Sequence, residues 1–297
     1  MFPDELSVAL FGKRFRDVTE EFLAYRSLYS DDKRTTPSNL RILGRHLGEL
    51  RITEIGTKEI ESMIAARIAE GVSRPTINRQ RATLSRFFTW AISRGYHRGP
   101  NPVKQVLKFR ESSGRTRYLS DEEAKKLILA AAVHLKKIIV AALHCGGRLS
   151  ELLTLRWSDV DLERHVLVFR RENTKSRRER IVPIDVDLDA TLRSLRPGPP
   201  GDLVFEYNGR GMKSVRTAFE HARKKAGLTD VHFHDLRHTF ASWAIMNGLD
   251  VYRLQRYMGH SSISLTQRYA HLSEEFIQQG AVFFGPPKVR RTDEVEK

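Results

Sequence analysis

The chain has 297 residues, 40% of them hydrophobic, which suits two packed domains and excludes a chain too polar to bury a core. Lysine and arginine outnumber aspartate and glutamate 51 to 36, an excess of 15 with a pI near 10.1, so the expected partner is a polyanion whose phosphates those cations neutralise. Cys145 is the only cysteine, the opening Met-Phe-Pro-Asp-Glu lacks the basic-then-apolar order of a signal peptide, and the longest apolar tract (127–144) is broken by His134, Lys136 and Lys137. A reducing cytoplasm with no disulfide and no membrane span is therefore expected.

From Val18 to Gly95 the pattern predicts four helices, at about 18–29, 37–50, 58–70 and 74–94. Thr57 is placed to cap the third and Gly71 to stop it; Ser73 caps the fourth, with Pro75 in its first turn. Ile77, Leu84, Phe88, Ala91 and Ile92 share a core face of that fourth helix, and Arg74, Arg79, Arg81, Arg86 and Arg94 crowd it as well. An arginine run on a helix is in most proteins a solvated face; at this net charge it reads as a surface for DNA phosphates. Residues 98–117 read as a basic linker broken by Pro100, Pro102 and Gly114, in which Lys104, Lys108, Arg115 and Arg117 are expected to touch phosphates. Ser120-Asp-Glu-Glu123 is a capping box that opens a second domain.

In that domain Val166–Arg170 and Arg180–Pro183 predict a hairpin around a polar turn at Asn173–Arg178. A helix is expected near Met212–Gly227 and another carries His234 and Arg237. Asp250 caps the next, Gly259 ends it, and Ser261 or Ser262 caps a helix bearing Tyr269. The fold class expected is mainly α with a small antiparallel β-sheet. The division expected is 1–98 helical domain, 99–117 basic linker, 118–285 second domain and 286–297 polar tail.

Three motifs follow one another near the C-terminus: His234-Asp-Leu-Arg237-His238, Gly259-His260 and Gln267-Arg-Tyr269-Ala-His271; Arg148 lies upstream in Cys145-Gly-Gly-Arg148-Leu-Ser-Glu151. Covalent attack on a phosphodiester needs cations on the non-bridging oxygens, groups that move protons, and a nucleophile, which two arginines, two histidines and a phenol can supply. His234 and Arg237, three apart, share one side of a helix. Arg148 can grip phosphate or simply pair with Glu151. Lys175 is the sole lysine among six arginines between Arg164 and Pro183, and an ammonium, unlike a guanidinium, can give its proton to a departing alkoxide. His238 and His271 read as structural histidines. The phenol of Tyr269, ordinarily titrating at about 10, needs cationic neighbours or a base, and Arg148 and Arg237 are expected to bias it toward phenolate. His234 and His238, at i and i+4, superficially resemble a zinc-binding H-E-x-x-H, but Asp replaces Glu and Arg237 sits against the metal position, so no metal is expected.

Order and spacing over some 120 residues resemble the tyrosine recombinase (phage integrase) family, strongly from Leu119 to Gln279 and more weakly over the N-terminal helices. The resemblance implies a helical core-binding domain and a catalytic domain that clamp double-stranded DNA. Its catalytic set is Arg148, Lys175, His234, Arg237, His260 and Tyr269, with Glu151 orienting Arg148, Lys175 as general acid on the hairpin, and His234 assisting proton transfer. It further implies a 3′-phosphotyrosine intermediate that conserves bond energy without ATP or metal, and a homotetramer on two synapsed sites passing through a Holliday junction. The free chain is expected to be monomeric, with accessory DNA-bending or directionality factors as further partners. Two alternatives are a type IB topoisomerase, which reseals the same strand, and a catalytically silent DNA-binding regulator. Only about 15 residues precede the first helix, so no arm-binding domain is expected, and Phe276, Ile277, Val282, Phe283 and Phe284 are expected to form a segment docking on a neighbouring subunit.

Overall fold

A computed structural model describes residues 12–30, 32–111, 117–170, 179–195 and 197–272, and the chain divides into two units, Met1–Gly114 and Arg115–Lys297. In the first, α1 (Thr19–Tyr29), α2 (Thr35–Leu47), α3 (Thr57–Ala69) and α4 (Arg74–Ser93) surround one apolar core. α2 begins two residues before its expected start because the Asp32 carboxylate accepts from the amides of Thr35 (2.8 Å) and Thr36 (3.0 Å). Thr57, expected as a cap, is the first helical residue of α3. Gly56 takes the cap position, and its amide bonds Glu59 at 2.9 Å. Gly71, at φ +73°, ends that helix in a left-handed conformation. On α4, Ile77, Leu84, Phe88 and Ala91 are buried as expected. Ile92 is only half-buried, and Phe87 instead joins Phe22 and Trp90 in the aromatic core.

Part of the stretch expected to be a linker is folded onto α4. Pro102–Gln105 forms a 3-10 turn with Val103 and Val106 buried, and Asn101 Nδ2 donates to the Ser85 carbonyl at 2.8 Å. Asn78 exchanges two hydrogen bonds with the Phe109 backbone, at 3.0 and 3.1 Å. Arg81 is expected among the phosphate-gripping arginines, but it donates to the carbonyls of Val103 (2.9 Å) and Val106 (2.5 Å) and so serves the fold of this unit. Arg74, Arg79 and Arg86 are exposed on α4, and Lys104 and Lys108 are exposed on the following segment.

The second unit opens with the Ser120–Glu123 capping box, whose two backbone-to-side-chain bonds measure 3.0 and 3.2 Å. The long apolar tract is shared between α5 (Asp121–Ala130) and α6 (Val133–Cys145); no helix among the described residues is long and apolar enough to cross a membrane. After the short α7 (Leu149–Leu153), β1 (Val160–Asp161), β2 (Val166–Phe169) and β3 (Arg180–Pro183) form an antiparallel sheet in that order, with Phe169 opposite Arg180. β1 is a strand the pattern did not predict. A second unpredicted hairpin joins β4 (Glu206–Tyr207) and β5 (Arg210–Gly211) through Asn208 and Gly209, both at positive φ, a turn the Asn-Gly pair signals in the sequence. α8 (Val186–Arg193) precedes this hairpin, and α9 (Arg216–Lys225), α10 (Phe233–Met246) and α11 (Val251–Met258) follow it, the last capped by Asp250 as expected. α12 (Ser264–Gln267) is only one turn, so Tyr269 sits in the turn after it and not within a helix. Lys175, Arg115 and the apolar segment from Phe276 to Phe284 lie outside the described residues.

Candidate active site

Two helix ends build the centre of the site. α6 stops at Gly146 and α11 at Gly259, each at φ 61°, so that the last carbonyls turn inward. The Arg237 guanidinium, 2% exposed on α10, donates to the Gly146 carbonyl at 2.5 Å and to that of Met258. Both acceptors carry the partial negative charge of a helix C-terminus, which compensates a buried cation. Both glycines sit at a left-handed φ that side chains rarely adopt; a Cβ at Gly146 would also lie 2.4 Å from the Phe240 ring, and one at Gly259 would make a tight 3.0 Å contact with Arg180. Burial, reinforced by the Arg148 and Arg180 charges, pulls the Arg237 pKa down to about 9, so it remains a cation at neutral pH.

Glu151, fully buried at the start of α7, ties two further arginines to this centre. Its Oε1 accepts from Arg148 Nη1 at 2.8 Å and from Arg180 Nη1 at 3.1 Å; its Oε2 accepts from Arg180 Nη2 at 2.6 Å and from the Arg148 amide at 2.8 Å. Burial pushes this carboxyl upward, but the Arg180 hydrogen bond and charge, with Arg148 behind them, hold it below the usual range. The Arg148–Glu151 pair is thus formed, and it leaves the Arg148 side chain 23% exposed at the cavity. Nothing in the local sequence marks Arg180 apart from the other arginines of the hairpin. Strand alternation aims it inward opposite Phe169, with its guanidinium carbon 4.1 Å from that ring's centroid, and a third bond reaches the Tyr257 carbonyl at 2.8 Å.

Arg148, His234, Arg237, His238, His260, Arg268 and Tyr269 line one cavity of about 520 Å³. His260 Nδ1 lies 2.8 Å from the Thr266 hydroxyl. His238 Nδ1 is hydrogen-bonded to the Tyr269 hydroxyl, and the His238 ring stands edge-on to His234 with centroids 4.9 Å apart. His238, read from sequence as structural, is therefore the side chain in contact with the phenol; its place directly after Arg237 in the motif is the signal the sequence offers. Burial, followed by the Arg237 and Arg148 charges, moves His260 down to about 3. His234 is also lowered, by desolvation and then by Arg237 and Arg148. The phenol departs from expectation: burial outweighs the opposing Arg268 and Arg237 charges and pushes Tyr269 up to about 12, so it is a protonated phenol at neutral pH.

Arg117, expected to touch DNA phosphate, is committed within its own unit to Glu123 (2.5 Å) and Asp230 (3.2 Å). Among the described residues no three His, Cys, Asp or Glu side chains converge as metal ligands.

Residues 117–275 match the model of the phage integrase family, and residues 12–110 that of the phage integrase N-terminal domain. The chain is 33% identical over 183 residues to the integrase of Salmonella phage P22, a match covering 56% of this chain and 46% of that protein, so it spans about half the length of that relative. It is 30% identical over 234 residues to tyrosine recombinase XerC of Thermodesulfovibrio yellowstonii, covering 72% of this chain and 76% of that one. A lambda integrase tetramer bound to a Holliday junction superposes with a TM-score of 0.69 at 25% identity, over 84% of this chain and 77% of that chain.

Proposed function

The chain belongs to the phage integrase family, and from that premise we propose that it is a site-specific DNA recombinase that cuts and rejoins strands through a 3′-phosphotyrosyl bond to Tyr269. The observation that carries this reading is the placement of the Tyr269 phenol in the wall of the same cavity as Arg148, Arg237 and His260. Arg148 and Arg237 clamp the non-bridging oxygens of the scissile phosphate, with Glu151 and the two helix-end carbonyls fixing their aim before DNA arrives. His260 donates to a phosphate oxygen, His234 assists proton transfer, and Lys175 protonates the leaving 5′-oxygen. The diester energy is kept in the phosphotyrosine, so a second 5′-hydroxyl can reseal the strand without ATP or metal.

In this reading residues 1–98 form the core-binding domain, 99–117 connect it to a catalytic domain at 118–285, and 286–297 are a tail. Arg74, Arg79, Arg86, Lys104 and Lys108 contribute phosphate contacts, which hold the duplex without reading its sequence. Four copies assemble on two DNA sites from free monomers, in the cytoplasm, with accessory DNA-bending or directionality factors as further partners. The lambda integrase tetramer on a Holliday junction supports this assembly.

The test is covalent trapping on a randomised pool of nicked duplexes, followed by sequencing of the trapped DNA. A protein–DNA adduct at Tyr269 and strand exchange between the selected sites are expected. Relaxation of supercoiled plasmid without exchange would point to a topoisomerase, and binding without any adduct to a silent regulator.

A further inference from the structure

The phenol has one hydrogen-bond partner among the described residues, and it is not the histidine of the His-x-x-Arg motif. His238 Nδ1 meets the Tyr269 hydroxyl, and the His234 ring stands edge-on to His238. Tyr269 is 1% exposed and His238 9%, so bulk water does not compete for this bond. The His238 ring is also held between two others, 4.9 Å from His234 and 5.9 Å from Tyr269, which restricts its orientation. His238 follows Arg237 directly on α10, so one helical turn both grips the phosphate and aims an imidazole at the nucleophile.

We propose that His238, rather than His234, takes the phenolic proton of Tyr269 during strand cleavage and returns it during rejoining. This rests on the recombinase reading above. In cleavage the Tyr269 O–H bond breaks as the O–P bond forms, the proton goes to His238 Nδ1, and the P–O5′ bond breaks with the 5′-oxygen taking a proton from the general acid. In rejoining, the incoming 5′-hydroxyl gives its proton back to that group, the P–O(Tyr) bond breaks, and the phenolate recovers its proton from His238.

The groups facing His238 are His234, Asp235, Arg237, His260, Arg268 and the phenol itself. Burial, then the charges of His234, Arg268 and Arg237 against Asp235, lower its pKa to about 4, leaving a neutral ring able to accept a proton. A phosphodiester anion seated in the cavity opposes the arginine charges, so the imidazole becomes more basic when substrate is present. Base strength is thereby linked to occupancy of the cavity.

Single-turnover cleavage of a nicked duplex selected by the wild-type protein tests this with His238→Asn, which keeps a polar group near the Nδ1 position but cannot accept the proton. The variant is expected to bind the duplex normally, to cleave at least about 100-fold more slowly, and to lose the low-pH limb at which the wild-type rate falls as His238 protonates. His234→Asn is expected to keep that limb. Cleavage by His238→Asn within about three-fold of wild type, with the limb intact, overturns the proposal. If this variant does not fold, ¹⁵N NMR of the wild-type protein decides: the proposal requires an unprotonated Nδ1 that shifts in Tyr269→Phe, and a proton resident on Nδ1 refutes it. Should wild-type protein form no adduct with any duplex, the recombinase reading itself fails, which separates the two outcomes.

Discussion

The arginines of the two units are used in opposite ways. On α4 Arg74, Arg79 and Arg86 stand exposed, whereas in the second unit Arg237 and Arg180 are buried and, among the described residues, their guanidiniums hydrogen-bond to carbonyls and a carboxylate, with Arg180 also over an aromatic face. An exposed arginine contributes charge, and its geometry is settled only when a phosphate arrives. A buried one has met its desolvation cost during folding and is already aimed. Arg81 shows that the distinction does not follow the unit boundary, since it sits among the α4 arginines yet is bonded to Val103 and Val106.

The sharpest way to probe the contrast is to remove the proposed nucleophile, Tyr269, which shares its cavity with the buried Arg237. Tyr269→Phe is expected to abolish covalent adduct formation, read on a denaturing gel, while DNA affinity stays within about two-fold because the phosphate-binding cations are untouched. Arg237→Ala should lower cleavage about 100-fold or more and destabilise the second unit by about 3 kcal/mol in urea unfolding, since it strands the Gly146 and Met258 carbonyls. Arg237→Lys is expected to rescue neither effect fully, because one ammonium cannot reproduce the planar fork that spans both carbonyls. If Arg237→Ala unfolds at the wild-type midpoint, the buried arginines are not preorganised by the fold and the contrast is lost.

Glu151 supplies a pH test of the same idea. Its folded pKa lies below the ordinary carboxylate value of about 4.3. The bridge to Arg148 and Arg180 therefore stabilises the fold fully above that value, and the contribution disappears as pH falls through the depressed folded value. Glu151→Gln should cost about 3 kcal/mol at pH 7, with the difference from wild type shrinking in acid; equal differences at pH 7 and pH 3 would remove Glu151 as the cause. The smallest effects concern α4. Arg81→Ala should cost about 1 kcal/mol of stability and leave the salt dependence of DNA binding unchanged. Arg79→Ala or Arg86→Ala should leave stability within about 0.5 kcal/mol and reduce the slope of log affinity against log salt by about 1. The reverse pattern would mean that exposure does not separate the two kinds of arginine.

Local chemistry makes much of this molecule legible in its sequence. Four amphipathic helices, the Ser120–Glu123 box, the Asp250 cap and the stop at Gly259 are written in neighbouring residues, because helix starts and stops depend on backbone groups only a few positions away. The residue types needed for phosphoryl chemistry could likewise be read from order and spacing. What folding alone decided is which side chains meet across long separations. Arg237 joins Gly146 and Met258, Glu151 bridges Arg148 and Arg180, and the phenol is paired with His238 and raised by burial instead of being lowered by arginines. Burial and electrostatic coupling depend on distances through the folded core, and residues 91 positions apart, like Arg237 and Gly146, carry no local trace of being neighbours.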